Sequence, residues 1–158
     1  MNQTDRSQPV HQLLARETQG VLSTLSRKAE GWPFGSLAPF ALTANGEPLL
    51  LVSHLAEHTQ NLLADPRVSL FVQAAQARAN PQAGARVTLL CTALAVDETE
   101  VETARQTYLQ RFPDAASFFQ MGDFQLFKLR IERVRYIGGF GNMYWLSGAE
   151  LLSGEGAS

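Results

Sequence analysis

Alternation of apolar and polar positions governs most of the chain. Val21, Ser23 and Leu25 alternate with Leu22, Thr24 and Ser26, which predicts a first strand. Gly35 to Thr43 predicts a second, interrupted by Pro39, a residue suited to an edge or a bulge. Asn45-Gly46 is a hairpin turn signal, and Pro48 to Ser53 is an apolar third strand. Val21 to Ser53 is therefore expected to form a three-stranded antiparallel meander. Arg67 to Gln73 predicts a fourth strand and Arg86 to Asp97 a long fifth. Phe127, Leu129 and Ile131 alternate with Lys128, Arg130 and Glu132 in a half-exposed sixth. GGFG then marks a bend, and Met143 to Leu146 adds a last strand.

Helical spacing punctuates these strands. Ser7 caps and Pro9 suits the first turn of an N-terminal helix within residues 1–19, with Val10, Leu13 and Leu14 on one face and Gly20 as its stop. HLAEHTQNLLADP places Leu55, Leu62 and Leu63 on a second helical face, ended by Asp65-Pro66. Glu98 to Arg111 is a third, its apolar stripe Val101, Ala104, Tyr108 and Leu109, and Asp114 to Met121 is a short fourth. Lys28 to Pro33 and QAAQARANPQAG read as polar connections. Residues 148–158, rich in Gly and Ser, are expected to form a flexible tail. Six or seven strands without βαβ alternation predict an antiparallel barrel in an α+β protein, a single domain over residues 1–158.

Composition narrows the function classes. The 158 residues are 45% apolar and 18% charged, the balance of a globular domain and not of a disordered chain. A formal charge of −2 offers no basic surplus for nucleic acid. The single cysteine, Cys91, excludes an internal disulfide and thiolate clusters held by this chain alone, and it reads as a core residue. The densest apolar stretch, Val87 to Val96, is half the roughly 20 residues a spanning helix needs, so no membrane span is expected. The polar N-terminus MNQTDRSQPVHQ lacks a signal-peptide core, and a cytoplasmic location is expected.

Three constellations carry candidate chemistry. His54, Glu57 and His58 match H-x-x-E-H, a zinc spacing, but His54 sits at a strand end and a third ligand is unmarked, so no metal is expected. Ser53, His58, Thr59 and Asn61 surround a helix start, where free N–H groups, hydroxyls and imidazole favour one phosphate; plain helix capping is the alternative. Arg86 opens a strand and either reaches a phosphate or faces water, and Asp123 is either a buried acid or a turn residue.

FGSLAPFAL, PLLLVSHLAEHTQNLLADPRVSLFV and RVTLLCTALAV resemble the pyridoxamine-5′-phosphate-oxidase-like FMN-binding split-barrel superfamily. YLQRFPDAASFFQMGDFQLFKLRIERVRYIGGFG is similar to its haem-utilisation (HugZ-type) branch. The resemblance runs from about Gly20 to Gly141. It implies a dimeric Greek-key split barrel with a small-molecule ligand along the dimer interface. It implies FMN as cofactor and a flavin-dependent oxidoreductase, with Gly35, Ser36 and Leu37 bordering the flavin ring. Ser53, His58, Thr59 and Asn61 then take the phosphate side, with Arg86 near the phosphate or the partner. The basic Arg-Lys pair of the true oxidases falls here at Glu57-His58. Haem without flavin is the alternative, as is a non-catalytic ligand-binding dimer. The haem-degrading members place an iron-ligating histidine in the C-terminal segment, and here no histidine follows His58, leaving Tyr144 as a conceivable oxygen ligand. For the dimer, Phe34, Phe40 and Trp145 are expected among the exposed apolar groups.

Overall fold

The computed structural model describes residues 3–139 and 141–156. The chain opens with helix α1 (Gln3–Arg16), then β1 (Gln19–Leu25), β2 (Pro33–Pro39), β3 (Ala41–Leu42) and β4 (Pro48–Ser53). Helix α2 (Glu57–Ala64) leads to β5 (Arg67–Gln73) and β6 (Arg86–Ala95). Helices α3 (Val101–Arg111) and α4 (Ala116–Phe119) precede β7 (Phe124–Ile137), β8 (Met143–Ser147) and α5 (Gly148–Gly156). Among the described residues the strands form one antiparallel sheet in the order β2-β1-β5-β6-β7-β4-β3, with β8 added beside β7. The result is the expected antiparallel barrel in an α+β fold.

The meander forms only in part. β1 and β2 pair as a hairpin, but the chain breaks at Phe40, and β4 pairs with β3 and β7 instead of β2. Pro39 ends the β2 ladder, and the Phe40 ring turns fully into the core, so it is not the exposed apolar group expected from sequence. The expected second strand is thus two strands on either side of that anchor. The QAAQ loop contains a 3₁₀ turn (Ala75–Ala79). β7 begins before and ends well after the expected Phe127–Glu132 segment. Of the GGFG bend, Phe140 lies outside the described residues.

Two apolar layers flank the sheet. The inner layer holds Leu22, Phe40, Leu70, Leu89 and Leu129 with Val10, Leu13 and Leu14 of α1 and Leu151 of α5. α5 occupies the segment expected to be a flexible tail, and Leu151 is fully buried. A smaller outer layer forms where α3 and its following turn cover β3, β4 and the start of β7: Ala41, Leu49 and Leu126 meet Ala104, Tyr108 and Ala115. Burial pushes the Tyr108 hydroxyl up to about 12.

Arg111 ties these layers together. Its Nη1 donates to the carbonyls of Glu17 (3.0 Å) and Phe40 (2.9 Å), and its Nη2 to that of Ala15 (3.0 Å). The guanidinium also lies 5.5 Å from the Phe40 ring centroid. One of the last carbonyls of α1, that of Ala15, and the Glu17 carbonyl just beyond the helix are thereby satisfied by a cation where the helix dipole favours one. Arg111→Ala is expected to cost about 1–2 kcal/mol, because water replaces part of the lost bonding. Urea unfolding of both proteins at matched pH measures it, and Arg111→Lys, unable to span three carbonyls, should recover less than half.

Candidate functional site

α2 is the first place to look. Its N-cap is Ala56, with no side-chain cap, and Glu57 occupies the first turn, bridged by Lys28 at 3.9 Å. A carboxylate there opposes a bound phosphate. Ser53 Oγ accepts from the Leu55 N–H at 3.1 Å, closing a local turn. Asn61 is buried and bonded at both ends of its amide: its Oδ1 accepts from Arg27 N at 2.9 Å and its Nδ2 donates to Thr24 Oγ1 at 3.0 Å, fastening α2 to the β1–β2 hairpin. Thr59 is different. Its hydroxyl oxygen is the one buried side-chain polar atom among the described residues without a hydrogen-bond partner. His54 precedes α2, so the two histidines of H-x-x-E-H do not share a helix.

His58 is half-buried, and loss of solvation holds its pKa below the usual imidazole range. The unfolded chain therefore binds the proton more readily than the folded one. This contribution to stability is complete above the unfolded value of about 6.5 and is lost as pH falls from there toward the lower folded value. Thermal midpoints are expected to fall between pH 7.5 and 5.5, and His58→Gln should flatten that slope. An unchanged slope in the variant would assign it elsewhere.

Arg86 lies far from α2 along the sheet. Its Nη1 donates to the carbonyls of Pro81, Gln82 and Gly84 at 3.1–3.2 Å, shaping the loop before its own strand. Gly35 and Leu37 lie together on the outer side of β2, and alternation turns Ser36 the other way. The residues expected around one cofactor thus fall into three groups: the α2 start, the β2 edge and the Arg86 loop.

The β2 residues lead to a larger feature. Pairing aligns Leu37, Val21, Phe71, Thr88, Arg135 and Trp145 in one row across six strands. The next row runs Gly35, Ser23, Ser69, Leu90, Arg133 and Ser147. This is the outer side of the sheet, beyond the part that α3 covers. It is bare: Leu37 is 66% exposed, Met143 51%, Trp145 44% and Val21 41%. Of the expected exposed apolar groups, Trp145 belongs here, and Phe34 is half-buried. Its exposed apolar side chains stand in two groups, Leu37 and Val21 at one end and Met143 and Trp145 at the other, with polar and charged residues between. Exposed apolar groups gathered on one face mark a binding surface.

A cavity of about 480 Å³ opens on this face, bounded by Leu25, Pro33, Ser69, Leu90, Glu132 and Arg133 among others. A register shift between Leu90 and Cys91 gives β7 one extra residue, Glu132. The bulge turns Glu132 outward among arginines. Glu132 accepts from Arg130 Nε at 2.7 Å and from Thr92 Oγ1 at 3.2 Å, and both bonds hold its carboxyl below the usual range. Arg67 is held at 2.7 Å by Asp65, whose pKa the same contact lowers to about 2. Arg133 and Arg135 have no carboxylate partner among the described residues. Their guanidinium carbons lie 4.5 and 5.6 Å from the Trp145 ring centroid. Two unpaired cations against an indole, beside an apolar cavity, suit a flat apolar molecule carrying carboxylates.

Sequence reasoning missed this pair. The signal was partly present, since Val134 and Tyr136 alternate with Arg133 and Arg135, but the bulge at Glu132 shifts this alternation by one residue from that of Phe127, Leu129 and Ile131. Cys91 lies beneath the bulge, and burial and the nearby carboxylates push its thiol up, as a core residue. Tyr144 is engaged: its hydroxyl donates to the Arg6 carbonyl at 2.6 Å and its ring packs on Tyr136.

Comparison with known proteins gives a consistent picture. Residues 2–153 match the protein family described as "CREG, beta-barrel". The non-canonical heme oxygenase HOZ, chloroplastic, of Arabidopsis thaliana is 39% identical over 129 residues, 82% of this chain but 39% of that protein. Heme oxygenase HutZ of Vibrio cholerae is 33% identical over 142 residues, 87% of this chain and 80% of the relative. The solved structure of a heme binding protein from Mycobacterium smegmatis superposes with a TM-score of 0.86 at 33% identity, covering 97% of this chain and 61% of the other. The chain thus spans well under half the length of the plant relative and less than two thirds of the mycobacterial protein.

Proposed function

The chain belongs to the CREG beta-barrel family, in the haem-utilisation (HugZ-type) branch of the split barrels, and from that premise we propose that its bare outer sheet face binds haem. The observation that carries this reading is the unpaired Arg133–Arg135 couple around Trp145 beside the 480 Å³ cavity. Haem presents a flat apolar ring and two propionates, and the face presents a matching apolar floor and two free guanidinium groups. The relatives named for haem support the same assignment.

The chain's own residues bind and orient the ligand; bound haem would supply redox and oxygen chemistry. Iron ligation is not provided by a histidine of this face. His11 Nε2 lies 2.9 Å from the Leu151 carbonyl, His58 is on α2, and His54 follows β4. A second copy of the chain covers the remaining apolar surface in this reading, since one chain leaves Leu37, Val21 and Trp145 to solvent.

Titration of the purified protein with haem is expected to give a saturable Soret band at one haem per chain or per pair of chains. Light scattering should report about twice 17.3 kDa. A featureless titration sinks the haem assignment, and a monomer of 17.3 kDa at micromolar concentration sinks the second copy. The unpartnered Thr59 hydroxyl favours a second reading, FMN with its phosphate at the start of α2. That reading requires FMN to bind at least tenfold more tightly than riboflavin, and Glu57 opposes it.

A further inference from the structure

We propose that a second cavity, sharing no lining residue with the first, is a binding site for a small zwitterionic amino acid with an apolar side chain. The cavity measures about 280 Å³ and lies between α3 and the β3–β4 hairpin. It exists because the helix turns small residues toward the hairpin: Thr103, Ala104 and Thr107 stand where larger side chains would close the gap. Apolar Leu49 and Val96 line it as well.

The charges decide the ligand class. Glu47 is 8% exposed, and its described side-chain partner is Lys128, whose Nζ lies 4.0 Å away. The same Nζ lies 3.6 Å from Glu100. A close charge-assisted hydrogen bond would be about 2.7–2.9 Å, so both pairs are loose. A buried carboxylate and a half-buried ammonium therefore face one open cavity with hydrogen-bonding capacity left over. A simple amine entering here meets Lys128, and a simple carboxylate meets two glutamates. A zwitterion meets both signs: its ammonium replaces the long Lys128 contact on Glu47, and its carboxylate takes Lys128. Leu49 and Val96 accept an aliphatic side chain, Thr103 and Thr107 line the same space, and its volume falls just below the usual range of small-molecule pockets, which suits a ligand the size of one amino acid.

L-leucine, isopentylamine and 4-methylpentanoate share one carbon skeleton and differ in which charged groups they keep. Titrated into the full chain and followed by amide chemical shifts, L-leucine is expected to move the Thr103–Thr107 amides saturably at millimolar concentration. The two singly charged analogues should bind about tenfold more weakly or worse. Glu47→Gln and Lys128→Met should each weaken L-leucine by about tenfold. Thr107→Leu, which fills the cavity from the helix side and leaves the ion pairs in place, should abolish binding with an unchanged far-ultraviolet spectrum. No saturable shift, equal binding of either analogue, or undiminished binding to Thr107→Leu overturns the proposal.

Discussion

Leu151→Ala is expected to lower stability by about 2–5 kcal/mol, the range for truncating a fully buried leucine. For a chain of 158 residues that is a fall in thermal midpoint of roughly 5–15 °C. The reason lies at the end of the barrel. α5 packs its Leu151 into the same inner layer as Val10, Leu13 and Leu14 of α1. The pair is cross-linked by His11 Nε2 at 2.9 Å from the Leu151 carbonyl, and Arg6 Nη2 donates to the Trp145 carbonyl at 2.7 Å just before α5. Removing three side-chain carbons leaves a void that neither helix can close without breaking those bonds. Leu152→Ala is the control: Leu152 is 37% exposed, and a surface substitution should stay within about 0.5–1 kcal/mol. Equal effects from the two variants would mean that α5 is not part of the core.

That helix also shows where the sequence stopped being readable. LSGAELLSGEG has three glycines and two serines around a pair of leucines, and nothing in its local propensity calls for a helix. Burial of Leu151 against α1 supplies what propensity lacks, and that contact joins residues some 140 positions apart. Strands β1, β5 and β6 were legible because one face of each is buried and the period of two is strict: their burial patterns alternate residue by residue. The Asn45-Gly46 turn was legible too, and Gly46 takes the positive φ of 87° that such a turn requires. The β4–β7 pairing was not, because alternation states which side of a strand faces inward and never which strand lies beside it. The candidate site suffered the same limit. Arg133 and Arg135 become a pair only through β8, whose register sets Trp145 opposite Arg135. Phosphate-type motifs near α2 drew attention in the sequence because they are local; the cation pair is assembled across the sheet.

Replacing both cations should have the largest effect on ligand binding. Arg133→Glu combined with Arg135→Glu is expected to weaken haem by about 100- to 10,000-fold. A charge-assisted hydrogen bond contributes roughly 1.5–3 kcal/mol, and two are removed here. Reversal also sets two carboxylates against two propionates, where Glu132 already holds one negative charge on the same face. The loss of two arginines from over the Trp145 ring is a smaller matter, about 0.5–1 kcal/mol each at an exposed site. Fold should survive, because both side chains project from the outer side of β7 and neither has an ion-pair partner among the described residues. Haem affinity of the unaltered protein should fall as salt rises from about 0.05 to about 0.5 M, since solvent-facing charges carry the attraction, whereas the residual affinity of the double variant should rise with salt, because there salt screens a repulsion. Protoporphyrin dimethyl ester separates the two contributions. With its carboxylates masked it keeps the apolar ring, so it should bind the unaltered protein and the double variant alike, within about threefold. Trp145 fluorescence, quenched by a ring stacked nearby, follows the ester and haem in the same titration. If haem binds the double variant as tightly as the unaltered protein, the propionates do not meet Arg133 and Arg135, and the ligand lies on another part of the barrel.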